Sequence, residues 1–124
     1  MTSILPSTRR PDITVTPSGR IDIAARVVRL LNMQPGDVIG LTHIDSEYYL
    51  YIRLRAQQVV GRHECRVRPT TRRARGTFRT WSVRLARFIR SAAQASQLVL
   101  RFPCGEPHIV DNITYIPIII RSIL

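Results

Sequence analysis

Apolar and polar residues alternate over Ile13, Thr14, Val15 and Thr16, and the alternation resumes at Ile21 and Ile23 after Pro17-Ser18-Gly19. A period of two puts successive side chains on opposite faces of a strand, and Pro-Ser-Gly is turn chemistry, so residues 13–23 predict a β-hairpin. From Ala24 the period lengthens. Val27, Leu30 and Leu31 fall at i, i+3 and i+4 with Arg26 and Arg29 beside them, which predicts a short amphipathic helix. Asn32 tolerates the left-handed backbone that closes a helix and Pro35-Gly36 favours a turn, so the helix should end near Leu31. Strands over 38–44 and 48–54 follow, joined around Asp45-Ser46-Glu47. In the second, Tyr49, Tyr51 and Arg53 take one face and Tyr48, Leu50, Ile52 and Leu54 the other.

The rest of the chain contains an echo of this pattern. Arg26-Val27-Val28-Arg29-Leu30-Leu31 matches Arg84-Leu85-Ala86-Arg87-Phe88-Ile89, and each copy follows one candidate strand and precedes another. Arg66-Val67-Arg68 predicts a strand, Thr70 to Gly76 an arginine-rich hairpin loop and Thr77 to Trp81 its return. Gln97 to Phe102 predicts a further strand, and His108 to Val110 and Tyr115 to Ile120 read as extended. An internal repeat of this kind implies two halves, each too small to bury much alone, that share one core. Residues 55–62 would then link halves rather than separate domains, and residues 1–11, with two prolines and two arginines, form an extended basic arm.

Composition adds charge to this picture. Nineteen basic residues against eight acidic ones give +11, and all nineteen are arginine. Counterion release favours contacts between such a chain and a polyanion, and arginine clamps phosphate bidentately and reads guanine edges. Residues 53–101 hold thirteen of the arginines and one acid, Glu64. Cys65 and Cys104 stand apart, with no metal-ligand spacing and no disulfide framework, and are expected to be reduced core residues. No stretch reaches the length of a membrane span, so a soluble, cytoplasmic protein without membrane contact is expected.

Residues 12–54 resemble the AbrB/MazE/SpoVT group of swapped-hairpin DNA-binding domains. The resemblance rests on Ile13-Thr14-Val15, Gly19-Arg20-Ile21-Asp22-Ile23, Arg29-Leu30-Leu31-Asn32-Met33 and Pro35-Gly36-Asp37-Val38. A diverged second copy over 64–120 would extend it. Two positions depart from the family pattern: Ala24 replaces the proline that opens the helix, and Asn32 replaces the glycine that ends it. The resemblance implies an α+β, mainly β fold: a small swapped-hairpin β-barrel with two short helices, formed as a homodimer or as a pseudo-dimer within one chain. It also implies DNA contact by Arg20 and Arg29.

Arg26 joins these two through its i, i+3 relation to Arg29, although pairing of Arg20 with Asp22 or Asp37 and plain solvation of the helix arginines are the competing roles. Independently of any family, Arg72, Arg73, Arg75 and Arg79 predict a charged hairpin that meets phosphate, whereas Trp81 is expected in the core. His63-Glu64-Cys65 is too sparse for a catalytic or metal site, and no phosphate loop, nucleophile elbow or carboxylate pair is present. The sequence therefore predicts a DNA-binding transcriptional regulator that is not an enzyme and needs no cofactor. The charge suits RNA equally. The rival functions are a structural or assembly protein of a phage or mobile element and, less well matched, an antitoxin-like component.

Overall fold

In the computed structural model, residues 11–45, 47–53, 64–70, 76–94, 96–111 and 113–119 are described. In chain order the elements are β1 (Ile13–Val15), β2 (Arg20–Ile23), α1 (Ala25–Leu30), β3 (Val38–Ile44), β4 (Glu47–Arg53), β5 (Glu64–Arg66) and β6 (Arg68–Pro69). They continue as β7 (Phe78–Trp81), α2 (Val83–Ala93), β8 (Leu100–Phe102), β9 (His108–Val110) and β10 (Ile113–Ile118). The fold is α+β and mainly β.

The strands form two five-stranded antiparallel sheets, ordered β6-β7-β2-β1-β8 and β5-β3-β4-β10-β9. The expected barrel is not closed among the described residues; each sheet keeps two edge strands. The break falls at Val67, where the expected continuous strand divides because β5 pairs with β3 of one sheet and β6 with β7 of the other. Val67 itself is fully buried and exchanges backbone hydrogen bonds with Gly36 and Asp37, which pins the crossing strand to the turn before β3.

Local chemistry sets the turns where the sequence places them. Gly19 and Gly36 adopt φ of 96° and 86°, and Asn32 closes α1 at φ 50°, in the left-handed region that glycine and asparagine enter at least cost. Helix α2 runs longer than the echo suggests. Ser82 caps its start by accepting a hydrogen bond from the Leu85 amide at 3.1 Å, and Gln94 ends it in the left-handed conformation.

Inward-facing residues of both sheets and both helices merge into one core, drawn from both halves of the chain. Ile13, Ile21 and Val27 from the first half meet Val67, Leu85, Leu100, Phe102 and Ile116 from the second. Leu50 and Ile52 point inward as the alternation requires, and Cys65 and Cys104 are buried and not joined in a disulfide. The apolar C-terminal run supplies β10, which lies between β4 and β9 and buries Ile116 and Ile118.

Asp12 is the polar fastener of this core. Its carboxylate, 4% exposed, accepts from Arg26 Nη1 at 3.0 Å and from the Cys104 amide at 2.7 Å, while its backbone bonds Phe102 and Ala24 at 2.9 Å. One residue thus ties the start of β1 to the start of α1 and to the segment after β8. Asp12→Ala leaves a buried Cys104 amide without its acceptor and Arg26 without its counter-charge, and should cost about 2–3 kcal/mol in urea unfolding. Thr14→Ala, on the solvent side of β1, should cost less than about 1 kcal/mol in the same measurement.

Candidate nucleic-acid interface

The sheet β6-β7-β2-β1-β8 has one face in the core and one in solvent. Phe78 and Thr80 of β7, Ile21 and Ile23 of β2, Ile13 and Val15 of β1, and Leu100 and Phe102 of β8 are buried. Alternation forces their neighbours outward. Strand register then aligns those neighbours: Arg68 lies opposite Arg79, Arg79 opposite Asp22, Asp22 opposite Thr14, and Thr14 opposite Arg101. A single row thus crosses all five strands. In the adjacent position Arg20 faces Trp81.

This face carries Arg20, Arg68, Arg79 and Arg101 against one acid, Asp22. The carboxylate of Asp22 is shared. Arg79 Nε donates to Oδ1 at 2.6 Å, and Arg20 Nε lies 3.3 Å from Oδ2. The second contact is Coulombic, because the buried Arg20 Nε makes no hydrogen bond. One negative charge between two guanidinium groups holds both side chains over the sheet yet leaves the trio with net positive charge. Arg68 and Arg101 are exposed. Two shallow depressions flank Arg79: one of about 410 Å³ towards Arg66, Arg68 and Trp81, the other of about 210 Å³ towards Thr14, Asp22 and Thr77.

The expected site residues divide in four ways. Arg20 and Arg79 are brought together, with Arg20 beside Asp22, one of its two anticipated partners. Arg26 is engaged in the fold by Asp12. Arg29 is exposed in the last turn of α1. Arg72, Arg73 and Arg75 lie outside the described residues, in the connection whose flanks Thr70 and Thr77 are joined by a 3.0 Å backbone hydrogen bond. His63, the linker 55–62 and the arm through residue 10 also lie outside them.

Three residues of the face were not singled out as site residues from sequence. Arg68 and Arg101 alternate with buried neighbours in Arg66-Val67-Arg68 and Leu100-Arg101-Phe102, and that period-two signal would have placed them outward. Trp81 overturns the expectation of a core residue: it is 60% exposed. Trp81 follows buried Thr80 and so takes the outer face of β7, opposite Arg20.

The outer face of the other sheet has a different character. Tyr51 reaches across Gly40 to donate a hydrogen bond to Glu64, and Tyr115 packs against Tyr49 and Tyr51 at ring-centroid distances of 6.5 and 6.0 Å. Gly40 leaves room for this crossing, since a Cβ there would lie 2.5 Å from the end of the Tyr51 ring and would displace it. Neither His43 nor His108 lines either depression, and no group of three metal-ligating side chains exists among the described residues. The outer face of the second sheet thus gathers tyrosines, whereas the exposed aromatic residue of the first is Trp81.

Cys65 lines the larger depression, and burial pushes its thiol above the ordinary value, with the neighbouring Thr80 side chain opposing the rise and Glu64 adding to it. Thiolate is the reactive form, so a raised pKa lowers its population at neutral pH. In a Cys104→Ala variant, Ellman's reagent at pH 7.5 should modify native Cys65 at least tenfold more slowly than the urea-unfolded chain, and the native rate should climb at higher pH than that of a free thiol. Comparison with known protein families, with curated proteins and with solved structures finds no match for this chain.

Proposed function

We propose that the protein binds nucleic acid through the outer face of the β6-β7-β2-β1-β8 sheet and acts as a DNA-binding regulator of transcription. The observation that carries this is the register row from Arg68 to Arg101, with Arg20 beside it: four guanidinium groups on one sheet face, offset by the single carboxylate of Asp22. The net charge of +11 supplies the long-range attraction. Phosphate contacts along the row position the polyanion, and an arginine that reaches a base edge contributes selectivity. Arg72, Arg73 and Arg75 extend the same basic segment of sequence between β6 and β7.

The AbrB-like kinship belongs to this proposal. It is supported by the Gly19-Arg20 turn and by the way two similar units interleave. In each, a strand leads through one residue into a helix whose second and fifth positions are arginine: Arg26 and Arg29 in α1, Arg84 and Arg87 in α2. The units meet antiparallel, β2 against β7 and β4 against β10. On this view the single chain holds a pseudo-dimer.

Anisotropy titrations of a labelled duplex across a salt series test the assignment. Arg68→Ala and Arg101→Ala should each lower the slope of log K against log salt by about one unit, and Arg84→Ala should leave it unchanged. Asp22→Asn should tighten binding to all duplexes alike, because the two arginines it holds lose their counter-charge. Unchanged slopes in both sheet variants, or no binding by wild type at low salt, would overturn the proposal. A regulator should further prefer its own site about a thousandfold over random duplex.

A further inference from the structure

Trp81 is the only tryptophan of the chain and lies 60% exposed on the basic face, next to Arg79 along the outer side of β7 and opposite Arg20. Water contact over most of an indole is unfavourable, and the core takes Thr80 from this strand instead. The ring borders the depression of about 410 Å³ whose other walls include Arg66, Arg68, Thr70, Arg79 and Thr80. That volume lies within the ~300–1,000 Å³ of small-ligand sites, large enough for one nucleotide unit. Its lining is of two kinds: the side chain of Trp81, and arginines that include the exposed Arg68 and the Asp22-oriented Arg79. Indole rings stack on nucleobases whatever the sequence, while guanidinium groups take the phosphate. In an intact duplex the base faces are covered by their neighbours, so a stacking platform serves only an unpaired base.

We propose that this depression is a subsite for one unpaired nucleotide, with the base stacked on Trp81 and its phosphate held by Arg68 and Arg79. The inference rests on the nucleic-acid-binding function proposed above and adds to the duplex held by the basic face a place for one unpaired nucleotide, as in a single strand or a locally opened site. Arg79 is held by Asp22 at 2.6 Å, so the phosphate end of the site is oriented before a ligand arrives.

The single tryptophan makes the site its own reporter. Labelled oligo(dT) of twelve nucleotides and a blunt duplex are titrated into the full chain, with label anisotropy reporting binding and intrinsic emission reporting Trp81. Expected are quenching of Trp81 at saturation by oligo(dT) and not by the duplex, and a roughly tenfold or greater loss of oligo(dT) affinity in Trp81→Ala. Trp81→Phe should retain most of that affinity, and duplex affinity should change less than twofold in either variant. Both substitutions are at an exposed position, and unchanged thermal melting by circular dichroism identifies the loss as one of contact. Oligo(dT) binding with unaltered Trp81 emission and undiminished affinity in Trp81→Ala overturns the stacking subsite and leaves nucleic-acid binding standing. Absence of binding to either probe at low salt overturns both.

Discussion

The antiparallel pairing of β2 with β7 joins a strand from each half of the chain, and the rest of the architecture depends on it. On the inner side it sets Ile21 against Thr80 and Ile23 against Phe78, which closes the core between the two halves. On the outer side the same register sets Arg20 against Trp81 and Asp22 against Arg79. A slip of one residue would exchange the two faces, exposing the isoleucines and burying the charges. Core and surface are therefore fixed by one constraint, and neither half can keep its pattern without the other.

Three carboxylates show how sparingly the chain uses negative charge. Asp12 and Asp37 are buried and serve as acceptors that hold segments together, Asp12 for Arg26 and the Cys104 amide, Asp37 for the Gln34 amide. Asp22 stays near the surface and orients Arg20 and Arg79. The partner of each arginine decides its part. Arg26 and Arg84 occupy matching places in α1 and α2, yet Arg26 is bound to Asp12 whereas Arg84 is exposed. Arg90 turns back on its own loop, donating to the carbonyls of Gln97 and, at 2.7 Å, Leu98. Counting arginines along the chain thus overstates the charge available to a ligand on any one face.

Much of the fold was legible because its signals are local. The hairpin over residues 13–23, the end of α1 at Asn32, the strands β3 and β4 with their face assignment, and the position of α2 all follow from periodicity and turn chemistry. What was not legible depended on partners distant in sequence. Val67 reads as the middle of one strand, but the strand divides there because its two ends find neighbours in different sheets. Barrel closure, expected from the family resemblance, is a property of every strand pair at once. The site was legible only in part: Arg20 and Arg79 carry local signals, and nothing local brings Arg79 to the Asp22 carboxylate beside Arg20, 57 positions away.

By itself the sequence determined the elements, the mainly β class and the strong positive charge, since each arises from neighbouring residues or from composition. Tertiary structure alone decided which arginines share a face, that Arg26 is spent on Asp12, and that Trp81 looks outward. The physical reason is register. Alternation says that two residues of a strand point the same way, but only hydrogen bonding to another strand says what stands opposite them, and so which charges converge on a single surface.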